Sequence, residues 1–288
     1  MESNQNSKTE DRRPKTAVIG VGSLGQHHAR NYAELAREGT GEFVGVCDVN
    51  EEKAREIAGK NDCEYFTDWR ELLDKADAVS IVTPTETHAE IACEFLEKGV
   101  HVLVEKPIAR TLEETDRMIA SAQKTGAKLM VGHLERFNPA MVALRPHVTN
   151  PLYFEIHRVS PFPNRSLDVD VVLDVMIHDL DAIQWLVGED VKVSEIRAVG
   201  IPVISDKVDA ANARIEFENG AVANITAADY RGAVAIALGS EARGLSDAWA
   251  TLARDSVHVP MMGVADSLNV SATAAVLFYE ALRQRRSL

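Results

Sequence analysis

From Lys15 onward, short apolar runs alternate with longer segments whose apolar positions recur every three or four residues. Thr16 to Gly20, Phe43 to Asp48, Asp77 to Val82, Val100 to Val104 and Lys128 to Gly132 read as buried strands. Leu24 to Arg37, Glu51 to Gly59, Glu86 to Lys98 and Leu112 to Thr125 read as helices, the last two stopped by Gly99 and Gly126. Buried strands alternating with amphipathic helices predict right-handed βαβ units and a parallel sheet. After Asn138 the pattern changes. Leu152 to Val159 and Lys192 to Val199 read as longer strands, Ala210 to Glu218 and Ala221 to Thr226 as a hairpin around Asn219-Gly220, and Leu173 to Leu186 as a helix. From Asp229 it changes again, to strands over Ala233 to Leu238 and Val257 to Pro260 and an amphipathic helix over Asn269 to Arg285.

The fold class expected is therefore α/β. A polar tail (1–13) precedes a doubly wound parallel domain (14–135). An α+β domain with an antiparallel sheet (136–227) and a separate α/β segment (228–288) follow. Composition narrows the classes of function. Hydrophobic residues make up 45% of the chain, enough for a sizeable core. The net charge of −13 argues against nonspecific nucleic-acid binding, because phosphates repel an acidic surface. Cys47, Cys63 and Cys93 are odd in number and lack metal-ligand spacing, which points to a reducing compartment and no metal. The polar start of the chain is no secretory signal, and no apolar run reaches the ~20 residues of a membrane span. A cytoplasmic protein with no membrane partner is expected.

The chemistry starts at Gly20-Val-Gly22-Ser23-Leu24-Gly25, which follows a strand and opens a helix. In a dinucleotide-binding loop the first glycine allows the tight turn. The second admits the pyrophosphate to the backbone, and the third lets helix and strand pack closely. Asp48 ends the second strand, where a carboxylate binds the ribose diol and repels a 2′-phosphate; Val49-Asn50 supply no arginine. The pattern therefore favours NAD over NADP. The plainer alternative is a glycine turn that merely packs.

Further motifs close the later strands: Thr83-Pro84-Thr85 with His88, then Glu105-Lys106-Pro107, then His133 with Arg136-Phe137-Asn138-Pro139. Asp174 and His178 open the helix of the second domain. Over about Lys15 to Thr226 this set resembles the glucose-fructose oxidoreductase / inositol dehydrogenase family of sugar dehydrogenases. The resemblance implies a Rossmann domain and a catalytic set of Lys106, Asp174 and His178. His178 would be the acid–base residue, Lys106 would polarise the alkoxide, and Asp174 would bind hydroxyls or orient the site. It also implies cofactor contacts from Gly20, Gly22, Ser23, Leu24, Gly25, Asp48, Thr83, Pro84, His88, Glu105 and Lys106. The stretch from His133 to Pro139, with Asp168 to Asp174, resembles the branch similar to UDP-N-acetylglucosamine 3-dehydrogenase, which oxidises the sugar 3-hydroxyl. His133, Arg136, Asn138 and Arg165 would meet that substrate, with Arg158 a further candidate for its diphosphate. Plainer readings stand beside these: His88 as a helix cap, His133 as packing, His178 satisfied by Asp174, and Asp179 and Asp181 as a solvated face. A homo-oligomer is compatible with the family.

The last segment resembles something else. Residues from about Ala228 to Arg285 are similar to the final two motifs of SpoU/TrmH-type RNA 2′-O-ribose methyltransferases, a partial SPOUT-like segment. By that resemblance Gly239, Val259, Pro260, Met261 and Leu268 would line an S-adenosylmethionine pocket, with Glu241 and Asn269 at further motif positions. The first motif of that family, with its asparagine and catalytic arginine, is missing. The alternatives to a working dehydrogenase are thus an S-adenosylmethionine-dependent RNA methyltransferase, with RNA as partner, and an inactive chimera joined near Thr226 to Asp229.

Overall fold

The computed structural model describes residues 13–159, 170–202 and 206–228. They fall into two units divided between His133 and Leu134. The first contains β1 (Lys15–Ile19), α1 (Gly25–Arg37), β2 (Glu42–Cys47), α2 (Glu51–Asn61), β3 (Glu64–Phe66), β4 (Ala78–Ile81), α3 (Thr85–Glu97), β5 (His101–Val104), α4 (Leu112–Thr125) and β6 (Leu129–Val131). The six strands form one sheet in the order β3-β2-β1-β4-β5-β6, and every pairing is parallel. The order reverses between β1 and β4, and doubly wound sheets bind ligands at the carboxyl end of that switch point.

Both faces of this sheet are covered. Along β1, Ala17 and Ile19 join one buried cluster with Ile81, Phe95 and Val104, while Val18 joins another with Val46, Ala29 and Ile57. Two-sided burial is why the strands read as continuous apolar runs instead of alternating ones. Local chemistry sets the helix ends. Asn50 caps α2 by accepting the Lys53 N–H, and Thr111 caps α4 by accepting the Glu114 N–H. Gly126 ends α4 with φ of +78°, as its place after the last periodic residue predicts. The hydrophobic pattern does not predict β3, which at three residues is too short to display a period.

The second unit contains α5 (Pro139–Leu144), β7 (Tyr153–Val159), a π-helical segment (Val172–Met176), α6 (Ile177–Val187), β8 (Val193–Ile201), β9 (Ala210–Phe217) and β10 (Val222–Ala228). Its sheet runs β7-β10-β9-β8. The β9–β10 hairpin turns at Asn219-Gly220 as expected, with Gly220 at φ of +85°. The sheet is mixed, not purely antiparallel, because β10 pairs parallel to β7 over seven residues. The π-helical segment, α6, β8 and β9 lie between these two strands in sequence, and parallel pairing requires a long connection of this kind. Met176, Ile183, Val187, Ile215, Phe217 and Ile225 form this unit's core against one face of the sheet. Among the described residues, no helix is long and apolar enough to cross a membrane.

Phe95 is fully buried in the first unit and packs against Trp69 at a ring separation of 5.9 Å. Phe95→Ala is expected to destabilise this unit by about 3–5 kcal/mol, measured as a lowered urea midpoint. A loss under about 1 kcal/mol would mean that this layer is not the core.

Candidate active site

The glycine loop connects β1 to α1. A Cβ on Gly20, whose φ is +84°, would lie 2.6 Å from the Val82 carbonyl oxygen, and one on Gly25 would lie 1.9 Å from the Gly20 carbonyl oxygen. Both must be glycine for the loop to close. Asp48 holds the loop from the end of β2. Its Oδ2 accepts the Val21 N–H at 2.9 Å and its Oδ1 the Asn50 N–H at 3.0 Å. The same carboxylate expected to meet a ribose therefore also fixes the loop that would hold the phosphates. No side chain caps the start of α1, and its first turn has no acidic residue. Those donors and the open edge at Gly22 suit an anionic dinucleotide, so the residues present fit NAD.

The next strands bring the remaining first-unit candidates to the same end of the sheet. His88 is 1% exposed. Its Nδ1 lies 3.0 Å from the Pro107 carbonyl oxygen and its Nε2 2.9 Å from that of Thr83. His88 thus ties the loop after β4 to the loop after β5, a strut instead of a helix cap. Glu105 is 6% exposed. Its Oε1 lies 3.1 Å from His28 Nε2 on α1, and its Oε2 accepts the Lys106 N–H at 3.2 Å. A Cβ on Gly132 would lie 2.9 Å from Glu105 Oε1, so a glycine after β6 makes room for this carboxylate. Lys106 is half-buried at the end of β5, and His133 follows β6.

In the second unit, Asp174 lies within the π-helical segment and His178 in the first turn of α6. Single π turns inside helices are frequent at functional sites. Asp170 starts the segment by accepting the Val172 and Leu173 N–H groups, each at 3.0 Å. The expectation of a solvated face at Asp179 and Asp181 is wrong. Asp179 is 3% exposed and accepts bonds from Arg158 Nε and a terminal nitrogen at 2.7–2.9 Å. Asp181 takes the Arg136 guanidinium in the same forked way at 2.7–3.0 Å, and Glu189 takes its other terminal nitrogen. Arg136 and Arg158, expected to meet a diphosphate, thus hold α6 in place. Asn138 caps α5 through the Ala140 N–H at 3.0 Å. Arg165 and the S-adenosylmethionine-like residues Gly239, Glu241, Val259, Pro260, Met261, Leu268 and Asn269 lie outside the described residues.

Two features elsewhere do not compete. Burial, helped by nearby carboxylates, pushes the Cys47 thiol up to about 12 and that of Cys63 to about 11, so neither is a ready nucleophile. A cleft of about 590 Å³ beside Lys15, Glu42, Cys63 and Lys75 lies at the amino ends of β1 and β2, away from the glycine loop.

A model of the oxidoreductase family with an NAD-binding Rossmann fold matches residues 15–133. UDP-N-acetylglucosamine 3-dehydrogenase from Acidithiobacillus ferrooxidans is 44% identical over 214 residues, covering 74% of this chain and 66% of that protein. Its solved structure superposes with a TM-score of 0.70 at 43% identity, covering 75% of this chain and 70% of the other. The chain belongs to this oxidoreductase family. Within the family it is also 30% identical over 229 residues to the NAD(+)-dependent scyllo-inositol 2-dehydrogenase of Bacillus subtilis, covering 74% of this chain and 66% of that one. It spans about two-thirds of the length of these curated relatives. A model of the SpoU rRNA methylase family matches residues 175–279, a range that begins well before residue 228 and takes in α6 and β8 to β10.

The Glu105 carboxyl sits below the usual carboxylate range. Burial by itself raises it, but the hydrogen bond and charge of His28 and the N–H of Lys106 outweigh that effect. An ionised Glu105 therefore stabilises the fold above the ordinary carboxylate range, and that stability disappears as pH falls through the depressed value. Glu105→Gln is expected to lower the urea midpoint at pH 7. Its gap to the wild type should shrink between about pH 5 and pH 3. A gap that grows on acidification would show that Glu105 is not held as the anion.

Proposed function

We propose that the chain binds NAD on the Gly20–Gly25 loop and oxidises a hydroxyl of a sugar or nucleotide-linked sugar. In the finer reading this is the 3-hydroxyl of UDP-N-acetylglucosamine. The observation that carries the reading is the ordered motif set on the carboxyl side of the parallel sheet, in a chain 44% identical to a dehydrogenase of that name. Bound NAD supplies the hydride acceptor. Gly20, Gly22, Ser23, Leu24 and Gly25 receive its phosphates and Asp48 its ribose. Thr83 and Pro84 border the nicotinamide side, while Glu105 and His88 brace that side from within.

The protein's own part in the chemistry is proton transfer and charge stabilisation. His178 takes the proton of the sugar hydroxyl, since a histidine titrates in the range that base catalysis at neutral pH needs. Lys106 donates to the developing alkoxide, so that the carbon–oxygen bond becomes a carbonyl as the carbon gives up its hydride. Asp174 binds neighbouring hydroxyls or orients His178. His133, Arg136, Asn138 and Arg165 are the sugar-side candidates. A second reading, an S-adenosylmethionine-dependent RNA 2′-O-ribose methyltransferase, is supported by the family match over residues 175–279.

NAD at a hundredfold excess over its Kd is expected to stabilise the first unit by about 2.7 kcal/mol, seen as a raised melting temperature. With UDP-N-acetylglucosamine, Lys106→Met should lower kcat by about 10²–10³-fold. His178→Asn should lower it by about 10²–10⁴-fold with NAD affinity unchanged. Absence of any NAD-induced shift would remove the dehydrogenase reading. Calorimetric binding of S-adenosylmethionine, lost in Asn269→Ala, would favour the second.

A further inference from the structure

The three glycines of the loop are glycine for different reasons. Gly20 and Gly25 are imposed from inside, because backbone atoms occupy the place of their missing Cβ. Gly22 is not. Among the described residues, the sole non-neighbouring atom within 4 Å of its would-be Cβ is the Lys53 Nζ, at 3.8 Å. A flexible side-chain tip does not demand a glycine. The open edge at Gly22 is thus a cradle facing outward, with one cation at its rim.

Lys53 stands in the first turn of α2, and its backbone N–H is fixed by the Asn50 cap at 3.1 Å. Two acids on the helix pair with other cations. Glu51 pairs with Arg55 at 2.6 Å and Glu56 with Lys60 at 2.5 Å. Lys53 itself makes no ion pair among the described residues. On the other side of the cradle, both Asp48 oxygens already accept backbone N–H groups. A half-buried lysine whose ammonium stands over an open glycine edge completes a site for an anion.

We propose that Lys53 is a direct ligand of the dinucleotide's pyrophosphate. This deepens the NAD-binding reading and rests on it. The ammonium supplies a point charge, which matches a phosphate without fixing its orientation. The loop's acidic and basic neighbours then hold different parts of the cofactor. Asp48 takes the ribose hydroxyls and Lys53 the phosphate.

Equilibrium binding to the full chain, followed by calorimetry, tests this without any turnover. Lys53→Met is expected to weaken NAD and ADP by about tenfold, the loss of one charged hydrogen bond, and to leave adenosine unchanged. Lys53→Arg should restore most of the affinity. The salt dependence of NAD binding should flatten in Lys53→Met. Unchanged NAD and ADP affinity in Lys53→Met, with the wild type binding both, overturns this proposal alone. A larger loss for NADP than for NAD also overturns it, by placing the ammonium on a ribose phosphate. A wild-type chain that binds neither NAD nor ADP overturns the NAD-binding reading together with it.

Discussion

The tight turn from β1 into α1 is the constraint on which the first unit depends. Gly20 lies against the end of β4 and Gly25 against Gly20, so the loop, β4 and α1 can only meet as a set. Asp48 adds the end of β2 by holding the Val21 N–H. Four elements are thereby locked at one point of the sheet, beside the position where strand order reverses. The cofactor-side chemistry inherits this rigidity. Glu105 reaches from β5 to His28 on α1, and His88 bridges the loops after β4 and β5. Lys106 therefore extends from backbone that is tied on both sides.

Much of this is legible in the sequence, and the reasons are physical. Apolar runs, the glycine pattern and the stops at Gly99 and Gly126 are local signals, decided within a few residues. What stays hidden is long-range. His28 and Glu105 are 77 residues apart, and nothing in either neighbourhood announces the other. Asp179 and Asp181 alternate on a charged stretch that looks like a solvated face. Asp179 is buried and Asp181 half-buried because Arg158, 21 residues away, and Arg136, 45 residues away, arrive to pair with them. Charged residues are rarely buried without such partners, so a reading that cannot see the partner assigns them to the surface. Lys53 escapes notice for a similar reason: on α2 it is one more helix lysine, and its significance is its distance to Gly22.

In the second unit, ion pairs position a helix that also packs on the sheet through its core. α6 carries His178, and two forked arginine–carboxylate pairs fasten it, one to β7 through Arg158 and one to the turn after β6 through Arg136. Removing one member of such a pair leaves a buried charge uncompensated and is far more damaging than a surface ion-pair loss.

The two family signatures meet within one sheet. The SpoU match covers β8, β9 and β10, yet β10 pairs along its whole length with β7, which lies outside that match. The strands that carry the methylase pattern are therefore built into a sheet whose fourth member comes from the dehydrogenase side of the chain. At the opposite edge every residue of β8 is exposed, including Ile196 and Val199. Among the described residues no strand pairs with that edge, and an exposed edge strand with apolar residues is a surface that proteins ordinarily cover. The asymmetry separates two properties that a single function would join. Cofactor binding rests on the first unit, whose loop, clamp and struts are mutually supporting. The second unit carries the proposed base His178, and among the described residues nothing covers the β8 edge of its sheet. Binding of the dinucleotide is accordingly the more robust of the two, and it is the property through which the chain's chemistry can first be tested.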